Sequence, residues 1–229
     1  PMIELLYGVW FIKGGMHTMA QGLARLFGEL GGTIHYQAHV DKILTDGKKV
    51  RGILVGGQEI AAPSVVCNAD FPYAITRLVD EPAARGKYTP QKIDGMDYSC
   101  SCLVFYWGVR GSCEQLAAHT FIIAEDLDDN LDGIFDGRRL GDPSIYLHVP
   151  SRVDPGMAPK GMSSFYVLLP VSDLTTSQYP WNEETVEYYR QKTYDTLGGL
   201  PGLSDIRARV AVERVFTPKD FEQHFSAYR

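Results

Sequence analysis

The sequence predicts an α+β fold: a mixed β-sheet with helices on one face. Three observations carry this. Long apolar or alternating runs rich in β-branched and aromatic residues recur at 7–12, 98–109, 144–149, 165–171 and 206–216. Only three convincing helical patterns accompany them. Glycine pairs at Gly14-Gly15, Gly31-Gly32 and Gly56-Gly57 divide the first quarter of the chain into short pieces.

Residues 7–12 (YGVWFI) read as a short strand. After Gly14-Gly15, Met16, Met19, Ala20, Leu23, Leu26, Phe27 and Leu30 recur three and four apart, the period of a helix. Gly31-Gly32 ends it, because glycine tolerates the left-handed backbone of a helix C-terminus. Residues 33–38 and 40–44 read as strand, Thr45-Asp46-Gly47 as a turn, and 50–55 as the return. A third strand, 58–61, follows Gly56-Gly57 and completes a β-meander, and 65–69 adds another strand. Phe71-Pro72 opens a helix through Val79, and 80–97 is loop with some helix. The run 98–109 (YSCSCLVFYWGV) becomes apolar throughout, as a central strand does. Residues 120–124 form a further strand, and the acidic stretch 126–140 a short helix with loops. Two buried strands, 144–149 and 165–171, flank a loop that Pro150, Pro155, Gly156, Pro159 and Gly161 keep irregular. Asn182 caps the clearest helix, 183–197, and Glu183 and Glu184 favour its N-terminal end. The final run, 206–216, alternates as a strand with one wet face.

Bulk properties bound the function. The chain has 229 residues, 45% hydrophobic and 22% charged, enough for a packed core. A net charge of −6 argues against a nucleic-acid surface. Cys67, Cys100, Cys102 and Cys113 lack the paired spacing of a zinc site and read mainly as buried free thiols in a reducing compartment. No apolar run reaches the roughly 18 residues of a membrane span. Asp128, Asn130, Asp132, Gly133 and Asp136 fall at calcium-loop spacing, but Arg139 stands where the closing glutamate belongs. That run therefore reads as a solvated acidic loop, and no metal site is expected. No Gly-x-Ser-x-Gly, Walker or His-Glu-x-x-His motif occurs, so the chain holds no self-sufficient catalytic constellation.

The wording of 142–173 is more specific. SIYLHVPS, then DP, then APKG, then FYVLLPV resembles the substrate-domain stretch of flavin-dependent carotenoid desaturases, the bacterial phytoene desaturase family. LARLF, LGGTIHYQAHVDKI, DGKKVRGILV and SVVCNADFP are similar to the middle of the flavin-binding domain shared by carotenoid desaturases and amine oxidases. The likeness runs over 8–216, strongest at 134–170 and weakest at 80–97. It implies that 1–13 begin a substrate domain. Residues 14–70 would be a helix and three-stranded meander of a Rossmann-like FAD-binding domain, and 71–229 the substrate-binding domain. Val40, in a V-x-x-I segment, is implied to lie against the flavin adenine, with Ala69 as a second cofactor-binding residue. In such enzymes the isoalloxazine performs the hydride chemistry and the protein supplies an apolar tunnel. Tyr106, Trp107, Tyr146, His148, Phe165 and Tyr166 are the tunnel candidates; pattern alone leaves each of them open as a core residue.

The implied whole protein binds FAD and desaturates a linear C30 or C40 polyene of the phytoene or diapophytoene type in carotenoid biosynthesis. It would be cytoplasmic, peripheral to a membrane, and without nucleic-acid partners. The alternatives are a carotenoid isomerase or oxidase of the same superfamily, or a non-enzymatic domain that binds an apolar ligand or partner. The sequence lacks the G-x-G-x-x-G turn that holds a dinucleotide pyrophosphate, and its first residue is Pro1. An internal fragment is therefore expected, one that alone holds no FAD, is inactive, and self-associates through open apolar surface.

Overall fold

The computed structural model describes residues 2–228. Its strands are β1 (Val40–Asp46), β2 (Lys49–Val55), β3 (Gln58–Ala61), β4 (Ser101–Arg110), β5 (His119–Ile122), β6 (Ile145–His148), β7 (Met162–Val171) and β8 (Val210–Phe216). The chain divides into two compact units. One takes the residues up to Ile34 together with Cys100–Thr217; the other takes His35–Ser99 and the chain from Pro218. The helix Met16–Glu29 is thus grouped with β4–β8 and the meander with the residues up to Ser99. These divisions do not coincide with the boundaries 13/14 and 70/71 expected from the sequence.

The first unit is built on a five-stranded sheet in the order β5-β6-β7-β4-β8. Each of its ladders is antiparallel, which corrects the expected mixed sheet while the α+β class stands. The helical crossover through Glu183–Gly198 joins β7 to β8, and these lie on either side of β4 rather than side by side. They run in the same direction without pairing.

Strands β4 and β7 pair over ten residues each without a shift, from Ser101 opposite Val171 to Arg110 opposite Met162. A strand sends alternate side chains to opposite faces. Leu103, Phe105, Trp107 and Val109 of β4 therefore share a face with Phe165, Val167, Leu169 and Val171 of β7, and all eight are core. The Glu183–Gly198 helix covers this face with Val186, Tyr189 and Leu197. Asn182 caps it as expected, accepting from Thr185 N at 3.1 Å.

Two neighbouring tyrosines fasten this helix to the loop before β6. Tyr189 is fully buried, and its hydroxyl accepts from Leu140 N at 3.1 Å. Tyr188 Oη donates to Leu140 O at 2.9 Å. Both backbone groups of one buried residue are thereby satisfied by side chains. Burial, with Tyr179 Oη only 2.9 Å away, holds the Tyr189 phenol well above its ordinary pKa.

Several sequence expectations are corrected. Residues 7–12 form no strand. Met2–Tyr7 is a helix, Gly8 leaves it at φ +77°, and the Trp10 indole folds back to donate to Tyr7 O at 2.6 Å. The fifth strand of the sheet is β5, at its edge beside β6. Residues 33–38 contain a turn with Gln37 at φ +57°, and 65–69 find no partner strand. The alternation at 206–216 splits in two. Ile206–Arg209 is a single helical turn that buries Ile206, and pairing with β4 starts at Val210. The acidic run 128–133 lies within the helix Leu127–Phe135, not in a loop. Asp126 caps that helix, accepting from Asp129 N at 2.9 Å, and carboxylates are favoured in a first helical turn.

In the second unit, β1, β2 and β3 form the expected antiparallel meander. Gly56 and Gly57 have φ +54° and +80°, the paired positive values of a two-residue hairpin turn. Gly52 is needed for a different reason: a Cβ there would lie 2.1 Å from Ile60 O on the next strand. The Glu81 carboxylate accepts from Thr45 Oγ1 and Gly47 N, both at 3.0 Å, and so fixes the β1–β2 turn.

Tyr189→Phe leaves the buried Leu140 N–H without an acceptor. Urea unfolding should show a loss of about 1–3 kcal/mol.

Candidate functional site

The face of the five-stranded sheet opposite the helix-covered core carries aromatic rings on every strand. β5 contributes His119 and Phe121, β6 Tyr146 and His148, β7 Tyr166, β4 Tyr106 and β8 Phe216. Register brings them together. Tyr106 faces Tyr166, His148 faces Tyr166 on the other side, and Phe121 faces Tyr146. The rings touch in an unbroken series: Phe121 and Tyr146 at 4.9 Å, Tyr146 and Tyr166 at 6.1 Å, Tyr166 and Tyr106 at 5.3 Å, Tyr106 and Phe216 at 5.9 Å.

Of the six tunnel candidates, Tyr106, Tyr146, His148 and Tyr166 meet on this face. Trp107 and Phe165 do not; their side chains belong to the core and are 2% exposed, although both residues also border the cavity described next. Trp107 Nε1 donates to Glu213 Oε2 at 2.7 Å, and its ring stacks on Tyr194 at 4.9 Å. The odd-even step along β4 and β7 separates the two groups.

A cavity of about 640 Å³ opens on the aromatic face. Tyr106, Tyr166, His148, Phe11, Met16 and Val212 are among its walls, and Met157, Ala158 and Pro159 of the loop before β7 form part of its rim. The rim is tied. Asp154 accepts from Gly14 N at 2.8 Å through one carboxylate oxygen and from Gly156 N at 3.0 Å through the other. These two bonds hold its pKa below the usual carboxylate range. Gly15 sits close under the same loop at φ +83°, where a Cβ would lie 3.0 Å from Met157 Cε. Phe11, Met16, Met157 and Val212 were not singled out from the sequence. They are ordinary apolar residues there, and only the tertiary approach of three segments makes them walls.

No carboxylate lines this cavity among the described residues; Arg214 is its charged wall residue. His148 Nδ1 lies 2.8 Å from Ala118 O. A carbonyl can only accept, so Nδ1 carries a hydrogen and donates it. His119 stacks on His148 at 4.4 Å, and its Nδ1 is 2.8 Å from Tyr146 Oη. Burial, then the neighbouring His148, lowers the His119 pKa. Such a site can bind and orient an apolar ligand; it offers no carboxylate–histidine pair for acid–base work.

Residues 5–187 match the family described as flavin containing amine oxidoreductase. The chain belongs to that family. A 4,4'-diapophytoene desaturase (4,4'-diaponeurosporene-forming) of Staphylococcus haemolyticus is 41% identical over 99% of this chain and 46% of its own length. The protein with the same description from Staphylococcus aureus strain MRSA252 is 40% identical, with the same coverage. This flavin amine oxidoreductase chain thus spans 46% of the length of these curated relatives. Its fold is shared by an oxidoreductase from Methanosarcina mazei, with a TM-score of 0.60 at 15% identity over 89% of this chain and 42% of that one.

The other sequence-predicted residues of this family member lie in the second unit. Val40 is the first residue of β1, half-buried, opposite Val55, with a register irregularity between it and Lys42. Ala69 is exposed, just before the Asp70 cap of the helical turn Phe71–Tyr73. An apolar side chain at an irregular strand start suits the flat edge of a nucleotide base. The chain contains no glycine-rich strand-to-helix turn to hold a pyrophosphate.

The packing of the aromatic row affects its titration. Burial, then neighbouring Tyr106, pushes the Tyr166 phenol up from 10.0 to about 12. The folded value exceeds the unfolded one. Its contribution to stability is therefore fully present below pH 10.0 and lost as the pH rises through about 12. A phenolate absorbance titration should show a group of late-ionising tyrosines, and Tyr166→Phe should lower the amplitude of that group by one phenol.

Proposed function

We propose that this chain is the polyene-binding part of an FAD-dependent desaturase acting on a linear C30 or C40 carotenoid precursor, diapophytoene being the favoured type. The apolar cavity beneath an unbroken row of aromatic rings carries the reading, since a polyene needs walls and stacking surfaces more than charges. The similarity to the two staphylococcal diapophytoene desaturases supports it.

The division of labour follows. The flavin, when bound in the whole protein, accepts the hydride. Tyr106, Tyr146 and Tyr166 give the polyene a flat wall, and the loop at 150–161 excludes water from one side. Val40 and Ala69 are assigned to the adenine end of the flavin. Val40→Asp would set a carboxylate beside that base and weaken flavin retention.

Peripheral membrane contact, a cytoplasmic location and self-association belong to the same proposal. Leu5, Val9 and Trp10, each more than two-thirds exposed, and the uncovered Met16–Glu29 helix support an apolar contact surface in this chain.

The test uses the flavin-loaded whole protein with diapophytoene. A product with extended conjugation marks desaturation, whereas a product of unchanged mass marks an isomerase. The double variant Tyr106→Ala, Tyr166→Ala should raise KM by roughly tenfold at unchanged flavin content, the loss of about two aromatic contacts. Unaltered KM and turnover in that variant would remove the aromatic face from the function.

A further inference from the structure

One charge stands on the wall of this largely apolar cavity, and no protein group among the described residues balances it. Arg214 lines the cavity from β8, is exposed, and has neither a carboxylate nor a hydrogen-bond partner among those residues. On the opposite face of the sheet Arg190 is paired, with Glu213 Oε1 at 3.0 Å. The strands fix where Arg214 stands. It is the register partner of Tyr106, and Tyr106 is the partner of Tyr166, so a guanidinium and two phenols come from one row across β8, β4 and β7. The guanidinium carbon lies 5.1 Å from the centroid of the Phe216 ring, two residues on along the same face. That ring meets Tyr106 edge-on at 5.9 Å.

Tyr106 supplies a second donor. The residue is 42% exposed, and its hydroxyl has no partner among the described residues. The charge of Arg214 is felt at that hydroxyl: burial raises the Tyr106 phenol, and the guanidinium works against the rise. A guanidinium is always charged and can only donate, and the phenol beside it can donate as well. Two donors carrying a single positive charge match a carboxylate, whose two oxygens only accept. A phosphate dianion would leave one charge uncompensated beside apolar walls, which is costly. A hydrocarbon or alcohol end leaves the guanidinium to water.

We propose that the cavity also takes amphiphiles with one long apolar chain and a terminal carboxylate. The carboxylate sits on Arg214 and the Tyr106 hydroxyl at the β8 edge of the sheet, and the chain runs over the aromatic face toward Tyr166 and His148. At about 640 Å³ the cavity is of the size that holds small molecules. This rests on the reading of the cavity as a site for an apolar chain, and it adds a ligand class to that reading.

The test measures equilibrium binding of farnesoate, farnesol and farnesyl phosphate, which share one carbon skeleton, to the flavin-loaded whole protein. It is run at neutral pH and low salt, because the attraction of an exposed charge is screened by ions. Farnesoate should bind roughly tenfold tighter than farnesol, the scale of a hydrogen bond to a charged group. Arg214→Gln should reduce that ratio to about one, with farnesol binding showing that the cavity is still formed. Arg214→Lys, which keeps the charge but not the fork, should keep part of the ratio, and Tyr106→Phe should lower it by roughly threefold. If farnesyl phosphate binds tighter than farnesoate and Arg214→Gln abolishes that lead, the subsite is one for phosphate and the carboxylate assignment is overturned. If farnesoate and farnesol bind alike, or Arg214→Gln leaves their ratio unchanged, the anionic subsite is wrong and the apolar cavity stands. If none of the three binds, the subsite and the apolar-chain reading fall together.

Discussion

The unshifted pairing of β4 with β7 is the constraint on which the first unit depends. Ten residues of each strand stay in step, so every odd position of β4 and β7 faces the helices and every even position faces the aromatic side. A slip of one residue would exchange the two sets. Trp107 and Phe165 would then stand on the aromatic face, and Tyr106 and Tyr166 would be driven under the Glu183–Gly198 helix. Core and candidate site are two sides of one ladder, and neither can be rearranged alone.

The helix-covered side shows why the register holds. Its interior combines aliphatic packing with polar groups that fit in one arrangement. Glu213 accepts from Trp107 Nε1 at 2.7 Å and from Arg190 Nε at 3.0 Å, linking β4, β8 and the helix. Tyr188 and Tyr189 take both backbone groups of Leu140. Aliphatic contacts tolerate small slides, whereas a misplaced buried donor loses its acceptor and gains no water. The polar bonds therefore select the register that the apolar surface stabilises.

Much of this was legible in the sequence where pattern and length agreed. The alternation at 165–171, the run at 98–109, the Asn182 cap and the Gly56-Gly57 turn each have a local cause, and each is present. The misreadings also have local causes. YGVWFI has strand composition, but no strand lies beside it, and Gly8 lets the chain leave a helix instead. Over four residues a helical turn and a strand bury similar positions, so Ile206 misled. The tunnel candidates illustrate the same limit within the site. Aromatic residues at consecutive positions, Tyr106-Trp107 and Phe165-Tyr166, look alike in sequence, and only sheet parity sends one side chain of each pair to the aromatic face.

The carboxylate of Asp154 has a mechanical consequence. It grips Gly14 with one oxygen and Gly156 with the other, so two stretches of chain distant in sequence share one fastening. Gly15 and Met157, side by side beyond it, leave no slack between them. The rim of the cavity on this side is a single leaf with a pin through it, and whatever enters there must swing both stretches together.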